Sequence, residues 1–380
     1  MKKVLFSTTA LAAASMLAFA SNDVAAQTKA KPLSIKVGGY MLTKMSVSEQ
    51  DESFEVDTGT AGLEPGYDAF NVVNDSEIHF KGSTTLDNGM KVAVKVELET
   101  DQAVGTGTQI DASYMKLSGG FGQVNLGSYQ KADSILGNIA PVVGADVHFG
   151  GGHSSYVVRP SAMDGGVTLL TTKMDTSDNM TVTYISPKLM DMLYFGASIV
   201  PSTDNSNALP DSKGDTGDSV AQYNFDVAYN GKMGAASVKA DIGYGENSGN
   251  DTSNKHWRGG IRVAVGGFDV GASYKDRDDT STGQSGSATS DALEVYDVGV
   301  AYTTGPYKVG ATYAHGSAPL ASATAGDDEH SKFLVGAQYT MGPGVNLLGQ
   351  LAYIDYDNEL TTDSLNNSGW AVIGGVKVAF

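Results

Sequence analysis

The chain has 380 residues, among them 47 Gly and 18 Tyr, no Cys, and a formal net charge of -18. Without Cys there is no disulfide, thiolate metal site or thiol nucleophile, and so large an acidic excess argues against nucleic acid as a partner. This much Gly and Tyr suits many short strands joined by tight turns better than it suits helices.

In chain order, Met1, Lys2 and Lys3 form a basic start, Val4 to Phe19 an apolar or small-residue stretch, and Val24-Ala25-Ala26 a small-residue cleavage site before Gln27. The pattern predicts a secretory signal peptide over residues 1–26, with cleavage after Ala20 as the alternative. Its apolar part falls short of the ~20 residues that a spanning helix needs. Residues 27–380 are then one exported domain. No later run reaches ~18 apolar residues, so a membrane-embedded mature chain must cross by strands.

From Lys31 onward apolar and polar residues alternate over stretches of roughly ten, as in membrane strands. In Met90 to Glu99, Met90, Val92, Val94, Val96 and Leu98 fall on one face, and Lys91, Ala93, Lys95, Glu97 and Glu99 on the other. The same period runs through Phe268 to Lys275, Tyr307 to Tyr313, Lys332 to Thr340 and Val345 to Tyr353. Ile110 to Ser118 does not resolve into two faces.

Connections alternate in length. Tight turns are predicted at Asp87-Asn88-Gly89, Gly119 to Gly122, Lys188 to Met192, Gly231 to Gly234, Gly266-Gly267, Thr304 to Pro306 and Gly342 to Gly344, all rich in turn formers. Between them lie long polar stretches at Ser48 to Val73, Gln102 to Gln109, Gln130 to Asp178, Ser202 to Ser219, Asn247 to His256, Asp276 to Ala292, Gly316 to His330 and Asp357 to Asn367. Seven turns and eight loops predict sixteen strands. The fold expected is all-β: a 16-stranded antiparallel transmembrane β-barrel with long loops on one side, closed because an open edge in lipid would strand backbone polar groups.

One face of these strands is apolar with aromatics toward strand ends, including Tyr184, Tyr223, Tyr229, Tyr244, Trp257, Tyr274, Tyr302, Tyr339 and Trp370, as in an interfacial girdle. The other carries Lys36, Glu77, Lys81, Lys91, Lys95, Glu97, Lys239, Asp241, Arg258, Arg262, Asp269 and Lys377. So many charges are too costly for a dry core and predict contact with water, either inside a barrel or on a one-sided soluble sheet.

The last segment, Gly369 to Phe380, alternates cleanly and ends on Phe; it resembles the terminal strand of Gram-negative outer-membrane proteins. Ile35-Lys36-Val37-Gly38-Gly39-Tyr40, Leu117 to Gly127 and Val182-Thr183-Tyr184-Ile185-Ser186-Pro187 resemble segments of the general diffusion porins, especially the alphaproteobacterial kind. That resemblance implies an outer-membrane location, a homotrimer in lipid and lipopolysaccharide, and passive diffusion of ions and small polar solutes. It also implies that Phe380 belongs to the signal read by the barrel-assembly machinery, and that the third loop, about 130–178, folds into the lumen.

Asp133, Asp146 and Asp164 on that loop are accordingly expected to face a basic wall of Lys36, Lys81, Lys91 and Lys95 and set up a transverse field at the narrowest point. Acid-rich loops, such as Glu49 to Asp57 and Asp327 to Glu329, favour cations at the mouth. No cofactor is expected. Loop-bound Ca2+ is conceivable, but no EF-hand spacing is present. His148 and His153 do not have metal-ligand spacing, and no metal site is expected.

The alternatives are a solute-specific outer-membrane channel, an outer-membrane barrel enzyme or adhesin, and a soluble secreted β-sandwich. Six histidines without HExxH, and no Gly-x-Ser-x-Gly, count against hydrolysis.

Overall fold

A computed structural model of the protein describes residues 30–55, 67–100, 110–145, 156–160, 163, 167–172, 179–201, 221–248, 254–279, 293–319, 326–358 and 366–380. The predicted signal peptide lies outside these residues. Sixteen strands follow one another: β1 Lys31–Gln50, β2 Phe70–Thr85, β3 Lys91–Glu99, β4 Ile110–Gly119, β5 Gly122–Ser128, β6 Met180–Ile185, β7 Leu193–Val200, β8 Ala221–Met233, β9 Ala236–Ser248, β10 Asn254–Val265, β11 Phe268–Asp279, β12 Leu293–Thr304, β13 Tyr307–Pro319, β14 Asp327–Gly342, β15 Val345–Asp357 and β16 Asn367–Ala379. Two short helices, α1 at Glu52–Glu55 and α2 at Ala132–Leu136, belong to the first and third long connections.

Every strand pairs antiparallel with its sequence neighbour, and β1 pairs with β16 to close the sheet. All seven predicted tight turns fall between strands. The Gly266-Gly267 turn has φ of 57° and 88°, the left-handed pair that matches the twist of a two-residue hairpin. Closure ends at the last residue: Gly39 N–H donates to the Phe380 carbonyl at 2.9 Å, and Phe380 N–H to that of Gly39 at 3.1 Å. From Gly39 to Gln50 the two terminal strands thus satisfy each other's backbone groups, as a strand edge in lipid requires.

The predicted faces hold. In β12, Leu293, Val295, Asp297, Gly299 and Ala301 are buried while Glu294, Tyr296, Val298, Val300 and Tyr302 are exposed. Outward aromatics stand side by side near the loop ends, as Tyr274 opposite Tyr296, Tyr313 opposite Phe333 and Tyr353 opposite Trp370. Phe268 opposite Tyr302 and Tyr307 opposite Tyr339 form the second row near the turns. Such cross-strand pairs stabilise the sheet by roughly 0.2–1 kcal/mol each.

Ile110 to Ser118 resists a two-face reading for a physical reason. Glu97 pairs with Ala112 but Leu98 pairs with Ile110, leaving Asp111 as an extra residue in β4. This bulge switches the phase of the strand. Beyond it Tyr114, Lys116 and Ser118 lie opposite the inward Lys95, Ala93 and Lys91.

The inward face is not polar throughout. Leu42, Leu334, Leu348, Ala352 and Ile373 point inward and pack with Ala145 and Leu169 of the third connection. Part of the lumen is therefore an apolar seat for that connection rather than a wetted wall.

Candidate pore lining

On the wall formed by β1 to β4, Lys36 lies directly opposite Lys81, and Lys81 opposite Lys95. Three ammonium groups abreast repel one another. The arrangement is tolerable because Lys36 and Lys81 are exposed and Lys95 is only half-buried, so the charges remain open to solvation. Lys91 is also inward and exposed, opposite Thr85 and Ser118, about 13 Å nearer the turns at ~3.3 Å per residue. The predicted basic wall thus consists of a row of three with a fourth lysine below it.

Toward the loops the sign changes. His79 stands opposite Glu97, and Glu77 opposite both Tyr40 and Glu99. The Tyr40 hydroxyl donates to Asp75 Oδ1 at 2.7 Å and to Glu77 Oε1 at 2.9 Å. His79 Nε2 is 2.5 Å from Glu77 Oε2, and Lys95 Nζ contacts Glu97 Oε1. Lys377 Nζ sits 4.1 Å over the Tyr40 ring, a cation–π contact. The sequence reading placed Glu77, Glu97 and Glu99 on this face but did not single out Tyr40, Asp75, His79 or Asp111. The alternation Asp75, Glu77, His79, Lys81 along β2 was the available signal.

The third connection is pinned to the inner wall strand by strand. The Thr183 hydroxyl of β6 donates to the Gln130 carbonyl at 3.2 Å, and Ala132 N–H donates to Ser198 Oγ of β7 at 2.7 Å. Asn138 N–H donates to Asp241 Oδ1 of β9 at 2.7 Å, and Ala140 N–H to Asp297 Oδ1 of β12 at 2.7 Å. Thr312 of β13 donates to the Pro141 carbonyl at 2.6 Å. On the returning arm, Arg258 Nε of β10 donates to the Thr171 carbonyl at 2.8 Å, and the Thr171 hydroxyl to Asp297 Oδ2 at 2.9 Å. Asn367 Nδ2 of β16 donates to the Val158 carbonyl at 2.7 Å. With sixteen strands in cyclic order, β10 to β12 lie across the barrel from β2 to β4, so the lysine row faces the part of the connection pinned to β10 and β12, while the arm at Val158 reaches β16 beside β1.

This changes the expected charge pattern. Asp133 does not present its carboxylate across the lumen to the lysines. It is fully buried in α2, where Asn224 Nδ2 donates to its Oδ2 at 3.1 Å and His256 Nε2 lies 3.4 Å away. Asp146 and Asp164 lie outside the described residues, as do His148 and His153. The carboxylates beside the lysines are Glu77, Glu97 and Glu99 of the same wall.

Nor are all inward charges wetted, as the sequence reading expects. Arg258 and Asp241 form an ion pair beneath the third connection, with both side chains fully buried. Arg258 NH2 also donates to the Asn138 carbonyl at 3.1 Å. Buried charges persist when paired and hydrogen-bonded in this way.

A family profile described as Gram-negative porin matches residues 7–359. No curated protein matches the chain significantly in sequence. Solved structures do resemble it in fold. An anion-selective porin from Comamonas acidovorans is 16% identical with a TM-score of 0.60, covering 92% of this chain and 100% of its own. The outer-membrane channel DcaP of Acinetobacter baumannii is 14% identical with a TM-score of 0.61, covering 93% and 99%. OmpT of Vibrio cholerae in its trimer form is 14% identical with a TM-score of 0.58, covering 92% and 100%.

Proposed function

The chain belongs to the Gram-negative porin family and forms an outer-membrane channel for passive diffusion of small solutes, and we propose that its eyelet lies between the β2–β4 wall and the pinned third connection. The observation that carries this reading is the row Lys36, Lys81 and Lys95, which stands across the barrel from β10 and β12, two of the strands that hold the connection. Small hydrophilic solutes pass the narrow point with water. A solute with a dipole aligns between the lysine row and the carboxylates of Glu77, Glu97 and Glu99 just above it, so the field runs along the wall as well as across the lumen. Acidic residues at the mouth, such as Glu49, Asp51, Glu52 and Glu55, make the channel cation-preferring despite the lysines.

Residues 1–26 are the cleaved signal peptide and 27–380 the barrel domain in this account. The protein is a channel without catalytic activity or cofactor. It assembles as a homotrimer in outer-membrane lipid and lipopolysaccharide, consistent with the trimer form of the Vibrio cholerae relative in fold, and Phe380 serves as the assembly signal. Single-channel recording across a salt gradient tests the eyelet directly. Charge reversal at Lys81 and Lys95 shifts the reversal potential toward stronger cation preference; an unchanged potential refutes the assignment.

A further inference from the structure

Besides the basic row, the same wall brings an imidazole between two carboxylates. We propose that Glu77, His79 and Glu97 bind a divalent transition-metal ion of the zinc type on the lumen wall. Their ligand atoms lie within 4.8 Å of one another. The arrangement follows from the sheet: Glu77 and His79 are successive inward residues of β2, and Glu97 of β3 stands directly opposite His79.

Each carboxylate has one oxygen held by a neighbouring donor. Glu77 Oε1 accepts the Tyr40 hydroxyl at 2.9 Å, and Glu97 Oε1 contacts Lys95 Nζ. Glu77 Oε2 therefore points to His79 Nε2, 2.5 Å away, and a carboxylate oxygen of Glu97 completes the set. Outer partners of this kind fix the orientation of metal ligands. Around a tetrahedral ion with ligand distances of about 2.0–2.2 Å, ligand atoms stand about 3.3–3.6 Å apart, so the His79–Glu77 contact opens by about 1 Å to admit one.

The imidazole decides the class of ion. One nitrogen with two carboxylate oxygens suits zinc and its neighbours, whereas calcium and magnesium take oxygen ligands almost exclusively. Glu77, Glu99 and Asp111 also converge, but they offer oxygen alone and confer no such preference. Three protein ligands leave a fourth position for water or for an anionic group of a passing solute. Half-buried and lumen-facing, the site is reached from the pore water.

Binding does not depend on the channel reading, so the test has two arms on purified, folded protein. In titration calorimetry with zinc chloride, the unaltered protein binds one zinc ion per chain, and a large excess of calcium or magnesium does not displace it. H79Q and E97Q each weaken zinc binding at least tenfold, in line with the effect of losing a ligand or its support, while retaining heat-modifiable migration as the sign of a folded barrel. In planar bilayers zinc lowers the conductance of the unaltered channel but not of H79Q. Equal zinc affinity in H79Q and the unaltered protein, or displacement by equimolar calcium, overturns the site. Zinc binding without an effect on current places the ion away from the conducting path and overturns the lumen assignment alone.

Discussion

Lys81 of β2 and Lys95 of β3 stand directly opposite each other on the inward face. A like-charge cross-strand pair costs stability, and here Lys36 extends it to a third strand. The arrangement makes sense where the ammonium groups meet enclosed water and mobile ions. On that basis Lys81→Glu with Lys95→Glu raises the cation-to-anion permeability ratio several-fold in a salt gradient, with retained heat-modifiable migration on gels as the control for folding.

Asp241 joins two tasks: it pairs with Arg258 and accepts the Asn138 N–H of the third connection. Asp241→Ala leaves a fully buried guanidinium without its closest partner, which costs about 3–5 kcal/mol. The expected outcome is a lower temperature for the heat-induced shift on gels together with a larger, noisier conductance, because the connection loses a pin while the barrel persists.

Gly336 of β14 permits a close approach that no other residue permits. A Cβ there collides with the Val143 carbonyl, so Gly336→Ala forces the connection off the wall at a cost of about 1–3 kcal/mol. Because charge is untouched, this variant is expected to change conductance and neutral-sugar exclusion while leaving ion preference nearly constant. Measuring both quantities in one bilayer series separates lumen geometry from the electrostatics of Lys81 and Lys95.

The strand count was legible because it depends on features carried within single segments. Two-residue periodicity and turn-forming residues such as Gly266-Gly267 mark each hairpin without reference to the rest of the chain. Asp111 escaped because a bulge adds a residue without changing composition, and only its pairing with β3 reveals the phase change. Asp133 escaped for another reason. Alternation tells which residues point inward from a strand, but not which surface a long connection covers, and Asp133 lies on the covered side with Asn224 and His256. The same limit explains Arg258 and Asp241, legible as inward charges but not as a dry pair.

Phe380 closes the seam through its backbone, while the residue as a whole is 69% exposed. Phe380→Ala therefore removes little packing. If the ring is an assembly signal, the variant accumulates outside the outer membrane in cells yet refolds in detergent with unaltered heat stability. Fractionation and refolding on the same variant distinguish these effects, and a matching loss in both means that the ring is structural.

The central claim is that the charged face of the strands encloses water while the apolar face meets lipid. The chain has no Cys, so single-cysteine variants report on each face without background. In reconstituted membranes Lys81→Cys reacts with a charged, membrane-impermeant thiol reagent and the current changes on modification, whereas Val298→Cys and Val372→Cys on the outward face stay unmodified. Reactive cysteines at 298 and 372 with an inert one at 81 contradict the account.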